Sequence, residues 1–129
     1  ILFSIIFICV TSDIGGYIFG KIFKGPKLTS ISPNKTFSGS IGSFLLASAT
    51  SYFLLNILFN NSFLESLLIG IIICFFVQIG DLLFSYLKRK SKIKDTGQIL
   101  PGHGGLLDRI DGIIFGLPIG LIIISILII

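Results

Sequence analysis

Residues 62–83, SFLESLLIGIIICFFVQIGDLL, form an apolar run long enough to cross a lipid bilayer as a helix. A hydrocarbon core of about 30 Å requires about 20 mostly apolar residues in such a helix. Three further runs meet or nearly meet this requirement, at about 1–19, 39–59 and 112–129. The hydrophobic content of 53% and the mean hydropathy of +1.01 exclude an ordinary soluble domain. The sequence therefore predicts an all-α, polytopic membrane protein with about four transmembrane helices.

Positive charges are confined to two of the segments between these runs. All ten Lys and Arg residues lie in the loops 20–38 and 84–111, and none lies in the short turn at Asn60-Asn61. Alternation of the spans puts both basic loops on one side of the bilayer, and the positive-inside rule makes that side cytoplasmic. This bias by itself fixes only the topology and is also compatible with loops that have no catalytic role.

Several other features limit the kind of protein. The chain begins inside an apolar run and contains no Met, so we expect the C-terminal part of a longer protein. The net charge is +4, but the basic residues lie between spans without interleaved exposed aromatic residues, so no nucleic-acid partner is expected. Cys9 and Cys74 each lie alone in an apolar run and suggest neither a disulfide nor a metal site.

The loop after the third run concentrates the chemistry of the chain. Residues 85–111, SYLKRKSKIKDTGQILPGHGGLLDRID, hold six of the ten basic residues, three of the six acidic residues and the only His. Basic side chains suit phosphate oxygens, and glycines let backbone N–H groups approach an anion closely. Asp108 and Asp111 offer hard oxygen ligands to a divalent cation. The segment therefore predicts a phosphate-and-metal site.

Acidic residues at two helix ends adjoin this loop. Asp81, Ser85 and Lys88 share one helical face at i, i+4 and i+7. Asp108 and Asp111 share a face at i and i+3 if the last helix extends that far back, although helix capping alone could explain one of them. We predict Asp81, Asp108 and Asp111 as ligands of one or two Mg²⁺ ions.

The spacing of the loop resembles the signature of the phosphatidate cytidylyltransferase family, also called CDP-diacylglycerol synthases. The matching positions are Ser85, Lys88-Arg89, Lys94-Asp95, Pro101-Gly102-His103-Gly104-Gly105, Asp108-Arg109 and Asp111. Residues 32–39, SPNKTFSG, are similar to the family block Ser-Pro-x-Lys-Thr-Trp-Glu-Gly. Gly80, Asp81, Leu82 and Ser85 match the block Gly-Asp-Leu-x-x-Ser.

Three positions depart from the family pattern. Phe37 replaces Trp, Ser38 replaces an acidic or amide residue, and Phe84 lies where family members often have Glu. The changes at Ser38 and Phe84 remove polar or acidic groups near the expected site. An inactive helical interaction subunit is a rival interpretation supported by these departures alone.

The resemblance implies transfer of a cytidylyl group from CTP to phosphatidate, giving CDP-diacylglycerol and pyrophosphate in phospholipid biosynthesis. It further implies magnesium as the cofactor, a location in a bacterial inner membrane with the site facing the cytoplasm, and leaves a homodimer open. The lipid phosphate is the nucleophile, so no protein nucleophile is required. Catalytic roles are implied for Lys88, Arg89, Lys94, Asp95, His103 and Arg109. Substrate-binding roles are implied for Ser32, Lys35, Thr36, Ser85, Gly104 and Gly105.

Asp13 in the first run has two interpretations. An unpaired carboxylate in lipid costs about 2.5 kcal/mol or more, so Asp13 should face the bundle interior or the wet cytoplasmic end. It is either an interfacial residue on a glycine-rich packing face or a residue at the edge of the site. In the second run, a small-residue stripe predicts close helix packing, at Gly39, Ser43, Ala47 and Ser51.

Two further function classes compete with the family assignment. A transporter could use Asp13 and Asp81 as ionisable groups on an ion path, although these acids lie toward the ends of their runs. Another membrane lipid nucleotidyl- or phosphotransferase, such as a CDP-alcohol phosphotransferase, also uses closely spaced aspartates, but that family's motif is differently spaced. Within the last run, Pro118 is expected to bend the helix.

Overall fold

A computed structural model of the chain describes residues 1–26, 36–90 and 106–128, with the backbone alone for Lys88, Arg89 and residues 106–111. These residues form four helices, which are α1 (Leu2–Phe23), α2 (Phe37–Phe59), α3 (Phe63–Lys90) and α4 (Leu106–Leu127). The first three are long and apolar enough to cross a membrane, whereas the apolar part of α4, Gly112–Leu127, is shorter. The predicted class, an all-α helical membrane protein, is confirmed.

The helices extend beyond the apolar runs that predicted them. Helix α1 continues past residue 19 to Phe23, α3 continues past residue 83 to Lys90, and α4 begins at Leu106 instead of residue 112. The helices therefore extend into the predicted loops 20–38 and 84–111. Hydropathy indicates where a helix leaves the hydrocarbon core of the bilayer. The helix itself continues wherever good helix formers such as Leu, Lys and Arg follow.

Glycines let α1 and α2 pack closely and antiparallel. A Cβ atom added at Gly15 would lie 2.6 Å from the carbonyl oxygen of Gly42, and one at Gly39 would lie 2.7 Å from that of Gly16. Real Cβ atoms do not approach so closely, so the two backbones touch only because these side chains are absent. The packing face proposed for the glycines of the first run is present.

The small-residue stripe of α2 continues this packing onto α3. All four of its predicted members are buried, at Gly39, Ser43, Ala47 and Ser51. A Cβ atom at Gly70 of α3 would lie 2.8 Å from the Cα of Ser48, which again leaves no room for a side chain. The Ser51 hydroxyl donates a 2.7 Å hydrogen bond to the Ser66 carbonyl and ties the two helices together.

Helix α4 closes the bundle with its own glycine face. A Cβ atom at Gly116 would lie 2.6 Å from Val77 of α3 and 2.8 Å from the Cys9 sulfur of α1. Gly112, one turn before Gly116, packs on α3. Gly120, one turn after it, packs on both α1 and α3. The helix runs through Pro118, and the bend expected there stays a prediction.

The core and the outer surface of the bundle are both apolar. Fully buried side chains include Ile5, Ile8, Ile69, Ile73, Val77 and Ile124. Large apolar side chains also point outward, and the exposed fractions of Phe3 and Ile126 are 85% and 74%. Such a surface is unfavourable in water and suits contact with lipid.

A tight turn joins α2 to α3, as predicted. Asn60 ends α2 in the left-handed conformation (φ 55°), and its backbone N–H donates to the Asn56 carbonyl at 2.9 Å. The Ser62 hydroxyl accepts from the Glu65 backbone N–H at 3.4 Å and caps α3. We call this the turn end of the bundle. At the opposite end α1 and α3 finish while α2 and α4 begin.

Candidate active site

A cavity of about 190 Å³ lies at the end of the bundle opposite the turn, and we call this the cavity end. Residues of α1, α2 and α3 and the cap of α2 line it, and most of them are polar or glycine. The lining residues are Ser12, Asp13, Gly16, Tyr17, Thr36, Gly39, Ser40, Ser43, Gln78 and Asp81. Among the described side chains, the lining therefore has two carboxylates and neither Lys nor Arg.

A hydrogen-bonded network across three helices fixes the cavity wall. The Ser40 hydroxyl of α2 donates to Gln78 Oε1 of α3 at 2.7 Å, and Gln78 Nε2 donates to Cys74 Sγ at 3.4 Å. Gln78 Nε2 also lies 3.4 Å from the Ser40 carbonyl oxygen, and Cys74 Sγ lies 3.2 Å from the Ser12 hydroxyl of α1. Polar groups at membrane depth must find partners inside the protein, so these contacts hold the Gln78 amide in one orientation.

The contacts with α3 give the depth of each lining residue. Ser12 contacts Cys74, and along α3 Gln78 lies one turn and Asp81 two turns nearer the end of the helix. Along the bundle axis, Ser12 and Asp13 therefore line the cavity at its deepest level, and Asp81 lines it nearest the end of the bundle. We call these two levels the floor and the mouth. Asp13 lines the floor and is exposed.

Asp81 brings the beginning of α4 to the mouth of the cavity. A Cβ atom at Gly112 would lie 2.8 Å from Asp81 Oδ1, so the α4 backbone directly after Asp111 packs on this half-buried carboxylate. Because α4 begins at Leu106, Asp108 and Asp111 occupy its first two turns. The structure thus brings the residue after Asp111 against Asp81, and Asp108 lies one turn earlier on α4.

The metal site itself stays a prediction. Within residues 1–26, 36–90 and 106–128, no group of three His, Cys, Asp or Glu side chains could hold a metal ion. That result does not extend to the side chains of Asp108 and Asp111, which lie outside the described part of the structure. Asp81 is the one predicted ligand whose side chain is described, and it lines the mouth.

Thr36, a predicted substrate-binding residue, lines the cavity and also has a structural role. Its hydroxyl accepts from the Gly39 backbone N–H at 3.1 Å and so caps α2. The Ser38 hydroxyl lies 3.1 Å from the same oxygen. Capping satisfies an otherwise unpaired backbone donor, and the Thr36 hydroxyl proton can still be donated to a ligand.

The end of α3 carries three more predicted site residues. Ser85 is half-buried one turn beyond Asp81 and does not line the cavity. Lys88 and Arg89 lie in the last turn of the helix, which keeps Asp81, Ser85 and Lys88 on one face as predicted. Phe84, where the family often has Glu, packs edge-on against Phe115 of α4 with ring centroids 6.3 Å apart.

The remaining predicted site residues lie outside the described part of the chain. For Arg109 only the backbone, in the first turn of α4, is described. The others are Ser32, Lys35, Lys94, Asp95, His103, Gly104 and Gly105. Their roles stay predictions.

The sequence prediction missed most of the cavity lining. It gave no role to Ser12, Tyr17, Ser40 and Gln78, and it left Asp13 undecided. A signal was present in the spacing, because α1 contributes residues 13, 16 and 17 and α2 contributes residues 36, 39, 40 and 43. Offsets of three, four and seven residues mark one helical face.

Lys21 is the described cation that contacts a lining residue. Its ammonium lies 5.6 Å from the centre of the Tyr17 ring, within cation–π range, one turn beyond the cavity on α1. Tyr17 lines the cavity with 67% of its side chain exposed. The sequence prediction had left open whether this lysine does more than fix the topology.

Known proteins match almost the entire chain. Residues 1–127 match the model of the Cytidylyltransferase family. The chain is 43% identical over 109 residues to a phosphatidate cytidylyltransferase of Helicobacter pylori, covering 84% of this chain and 41% of the relative. It is 43% identical over 121 residues to one of Staphylococcus haemolyticus, covering 92% and 46%. For the relative in Staphylococcus aureus, strain COL, the identity is 43% over 124 residues, with the same coverage. The chain thus spans less than half the length of these relatives, and it belongs to the cytidylyltransferase family.

Proposed function

We propose that the protein containing this chain transfers a cytidylyl group from CTP to phosphatidate, giving CDP-diacylglycerol and pyrophosphate. The observation that carries this proposal is the contact between the Asp81 carboxylate and Gly112 at the mouth of a polar cavity. It brings the signature segment at the start of α4 to the signature residue near the end of α3. The names of the relatives support the same reaction.

The reaction is a displacement at phosphorus. An oxygen of the lipid phosphate attacks the α-phosphorus of CTP, the bond from that phosphorus to the oxygen bridging it to the β-phosphate breaks, and pyrophosphate leaves. Phosphoryl transfer of this kind depends on positioning and on charge neutralisation. We assign neutralisation of the phosphates and the leaving group to Lys88, Arg89, Lys94 and Arg109.

Asp81, Asp108 and Asp111 would hold magnesium in this proposal. Their hard carboxylate oxygens fit Mg²⁺, and the packing of Gly112, the residue after Asp111, on Asp81 supports this assignment. Three carboxylates without a cation would repel one another. When bound, the ion supplies charge stabilisation to the phosphate oxygens.

The other predicted residues complete the phosphate contacts. Gly104 and Gly105 would present backbone N–H groups, and His103 would donate a hydrogen bond, to phosphate oxygens. Lys35 and Thr36 would offer an ammonium and a hydroxyl from the cap of α2. Ser32 and Ser85 keep the substrate-binding role, and Asp95 keeps the catalytic role, that the family signature implies.

Topology and assembly are part of the proposal. We expect an inner-membrane protein of a bacterium with Lys27 and Lys92 cytoplasmic and Asn60 on the other side. Cysteine labelling at these three positions from each side of the membrane tests the topology. Labelling of the first two from opposite sides would contradict it. A homodimer is tested by crosslinking the full-length protein in its membrane.

The decisive assay measures pyrophosphate released by the purified full-length protein from CTP. We expect release that requires both phosphatidate and Mg²⁺ and that matches the CDP-diacylglycerol formed. Release of CMP when CDP-diacylglycerol and an alcohol acceptor are supplied instead would indicate a CDP-alcohol phosphotransferase. Ion flux through vesicles without any pyrophosphate release would indicate a transporter.

A further inference from the structure

The cavity lining combines two carboxylates with hydroxyl groups, which belong to Ser12, Tyr17, Thr36, Ser40 and Ser43. The carboxylates of Asp13 and Asp81 offer hydrogen-bond acceptors, and the Gln78 amide donors are already directed at Cys74 and Ser40. Gln78 Oε1 accepts from the Ser40 hydroxyl and has a second lone pair. The two carboxylates in the lining suit a ligand group that donates hydrogen bonds.

The size of the cavity indicates that it takes part of a substrate. Its volume is about 190 Å³. Pockets for whole drug-sized ligands measure about 300–1,000 Å³. A single heterocyclic base fits this scale, whereas a complete nucleoside triphosphate does not.

The depth of the lining residues sets the direction of the ligand. The mouth lies at Asp81 and the start of α4, where the phosphates are placed by the proposed function. The floor, two turns deeper along α3, lies at Ser12 and Asp13. A nucleotide with its α-phosphate at the mouth would therefore point its base toward the floor.

We propose that this cavity is the nucleobase subsite and that Asp13 selects cytosine by accepting a hydrogen bond from its exocyclic amine. This inference rests on the proposed function. Cytosine presents an N–H₂ donor at the position where uracil presents a carbonyl acceptor. A carboxylate at the floor binds the first and repels the second, so the site takes CTP and rejects UTP. A site built to bond a substrate N–H discriminates strongly because the mismatched acceptors stay unpaired.

Ser40 supports this selection as a positioning residue. Its hydroxyl and carbonyl bond the two ends of the Gln78 amide, which prevents the amide from turning its N–H₂ toward the base. Removing the hydroxyl lets the amide rotate and offer a donor to the carbonyl of uracil. The Ser40→Ala variant should therefore relax the selection less than a change at Asp13 does.

The test compares kcat/KM for CTP and UTP in the full-length enzyme with phosphatidate as acceptor. Asp13→Asn replaces an obligatory acceptor by an amide that can accept or donate. We expect the CTP:UTP ratio to fall by about 10-fold or more. The KM for phosphatidate should stay unchanged. Ser40→Ala should lower the ratio by a smaller factor.

Glu65→Gln is the matched control, because it makes the same chemical change on an exposed residue in the first turn of α3, at the turn end. It should leave the ratio unchanged. An unchanged CTP:UTP ratio in Asp13→Asn overturns the proposal. A higher Mg²⁺ requirement at an unchanged ratio also overturns it and assigns Asp13 to a cation.

A binding measurement covers the case in which Asp13→Asn has no activity. Thermal protection of the purified protein by CTP and by UTP, without phosphatidate, reports binding alone. Wild-type protein should be protected more by CTP, and the variant should be protected equally by both. The proposal is overturned if the variant is still protected more by CTP than by UTP, or if it is protected by neither nucleotide.

The two proposals fail in different ways. If wild-type protein prefers CTP in binding but releases no pyrophosphate with phosphatidate, the proposed reaction is wrong and the base subsite stands. If wild-type protein makes CDP-diacylglycerol while Asp13→Asn keeps full selectivity, the reaction stands and the subsite is wrong.

Discussion

The two ends of this bundle use the same kinds of residues for different purposes. At the turn end, side chains bond backbone groups, as in the pairs Asn56 with Asn61 and Ser51 with Ser66. At the cavity end, side chains from different helices bond one another, as Ser40 bonds Gln78. Serine and amide side chains occur at both ends, so composition alone does not separate the two.

The difference lies in what the polar atoms face. Those at the turn end complete the backbone hydrogen bonding of helices that cross closely, which every membrane bundle requires. Those at the cavity end surround a space of about 190 Å³ and include two carboxylates, Asp13 and Asp81. We assign this end to the proposed chemistry because both acidic side chains line one space next to the signature residues of α3 and α4.

The largest difference in activity between variants of the two ends should come from neutralising one carboxylate at each end. Asp81→Asn takes a charge from the mouth of the cavity, beside Gly112. We expect cytidylyl transfer by the full-length protein to fall by about 10²-fold or more, because stabilisation of phosphate charge is lost. Membrane insertion should be unchanged, because the amide keeps the size of the side chain.

Glu65→Gln provides the comparison at the turn end, where the carboxylate is exposed. Turnover should stay within about twofold of wild type, since exposed surface changes have small effects. Equal losses in the two variants would remove the functional distinction between the ends.

Close helix packing should contribute to the stability of the bundle at both ends, so glycine variants at either end should be destabilised. A Cβ atom at Gly42 would overlap the Phe19 side chain, and one at Gly70 would lie 2.8 Å from the Ser48 backbone. Gly42→Ala and Gly70→Ala should each lower the free energy of unfolding by about 1–3 kcal/mol, because overpacking forces the helices apart. Thermal unfolding in detergent measures this.

Gly25→Ala is the control for these two variants. The nearest atom to a Cβ there is the Ser38 hydroxyl at 3.5 Å, an ordinary contact distance. Its stability should match wild type. Unchanged stability in Gly42→Ala and Gly70→Ala would show that the helices are not held at these crossings.

The smallest expected difference is in the free energy of unfolding, between alanine variants of two neighbouring serines at the turn end. The buried Ser51 hydroxyl donates to the Ser66 carbonyl, whereas the Ser66 hydroxyl is buried without a hydrogen-bond partner among the described residues. Ser51→Ala should cost about 0.6–1.5 kcal/mol, the range for such bonds between membrane helices. Ser66→Ala should cost nothing or stabilise. The reverse order, measured by thermal unfolding, would contradict the assigned hydrogen bond.

The fold was predictable because the bilayer imposes it. Apolar runs of about 20 residues can form only helices at membrane depth, and the run at 62–83 indicates this without reference to other residues. The helix ends were not predictable from hydropathy. Lys90 ends α3 seven residues beyond the apolar run, since the hydrogen-bond ladder continues into polar sequence.

The candidate site was predictable only where it carries a fixed spacing along the chain. Asp81 stands in a recognisable block, and the structure places it at the mouth of the cavity. Ser40 and Gln78 lie 38 residues apart, and their hydrogen bond depends on how α2 crosses α3. Asp13 stayed undecided for the same reason, because only the packed bundle shows which face of α1 meets the cavity.

The central claim, that the cavity end binds the nucleotide, is tested most directly by protection of single cysteines from a polar alkylating reagent. Cys9 and Cys74 are fully buried and can stay in place. Tyr17→Cys reports on the cavity end, and Ser62→Cys reports on the turn end. CTP with Mg²⁺ should slow alkylation of Tyr17→Cys in the full-length protein by about 10-fold or more, as expected at CTP concentrations well above Kd. The rate for Ser62→Cys should not change. Equal rates with and without CTP in Tyr17→Cys, or equal slowing in both variants, would contradict the claim.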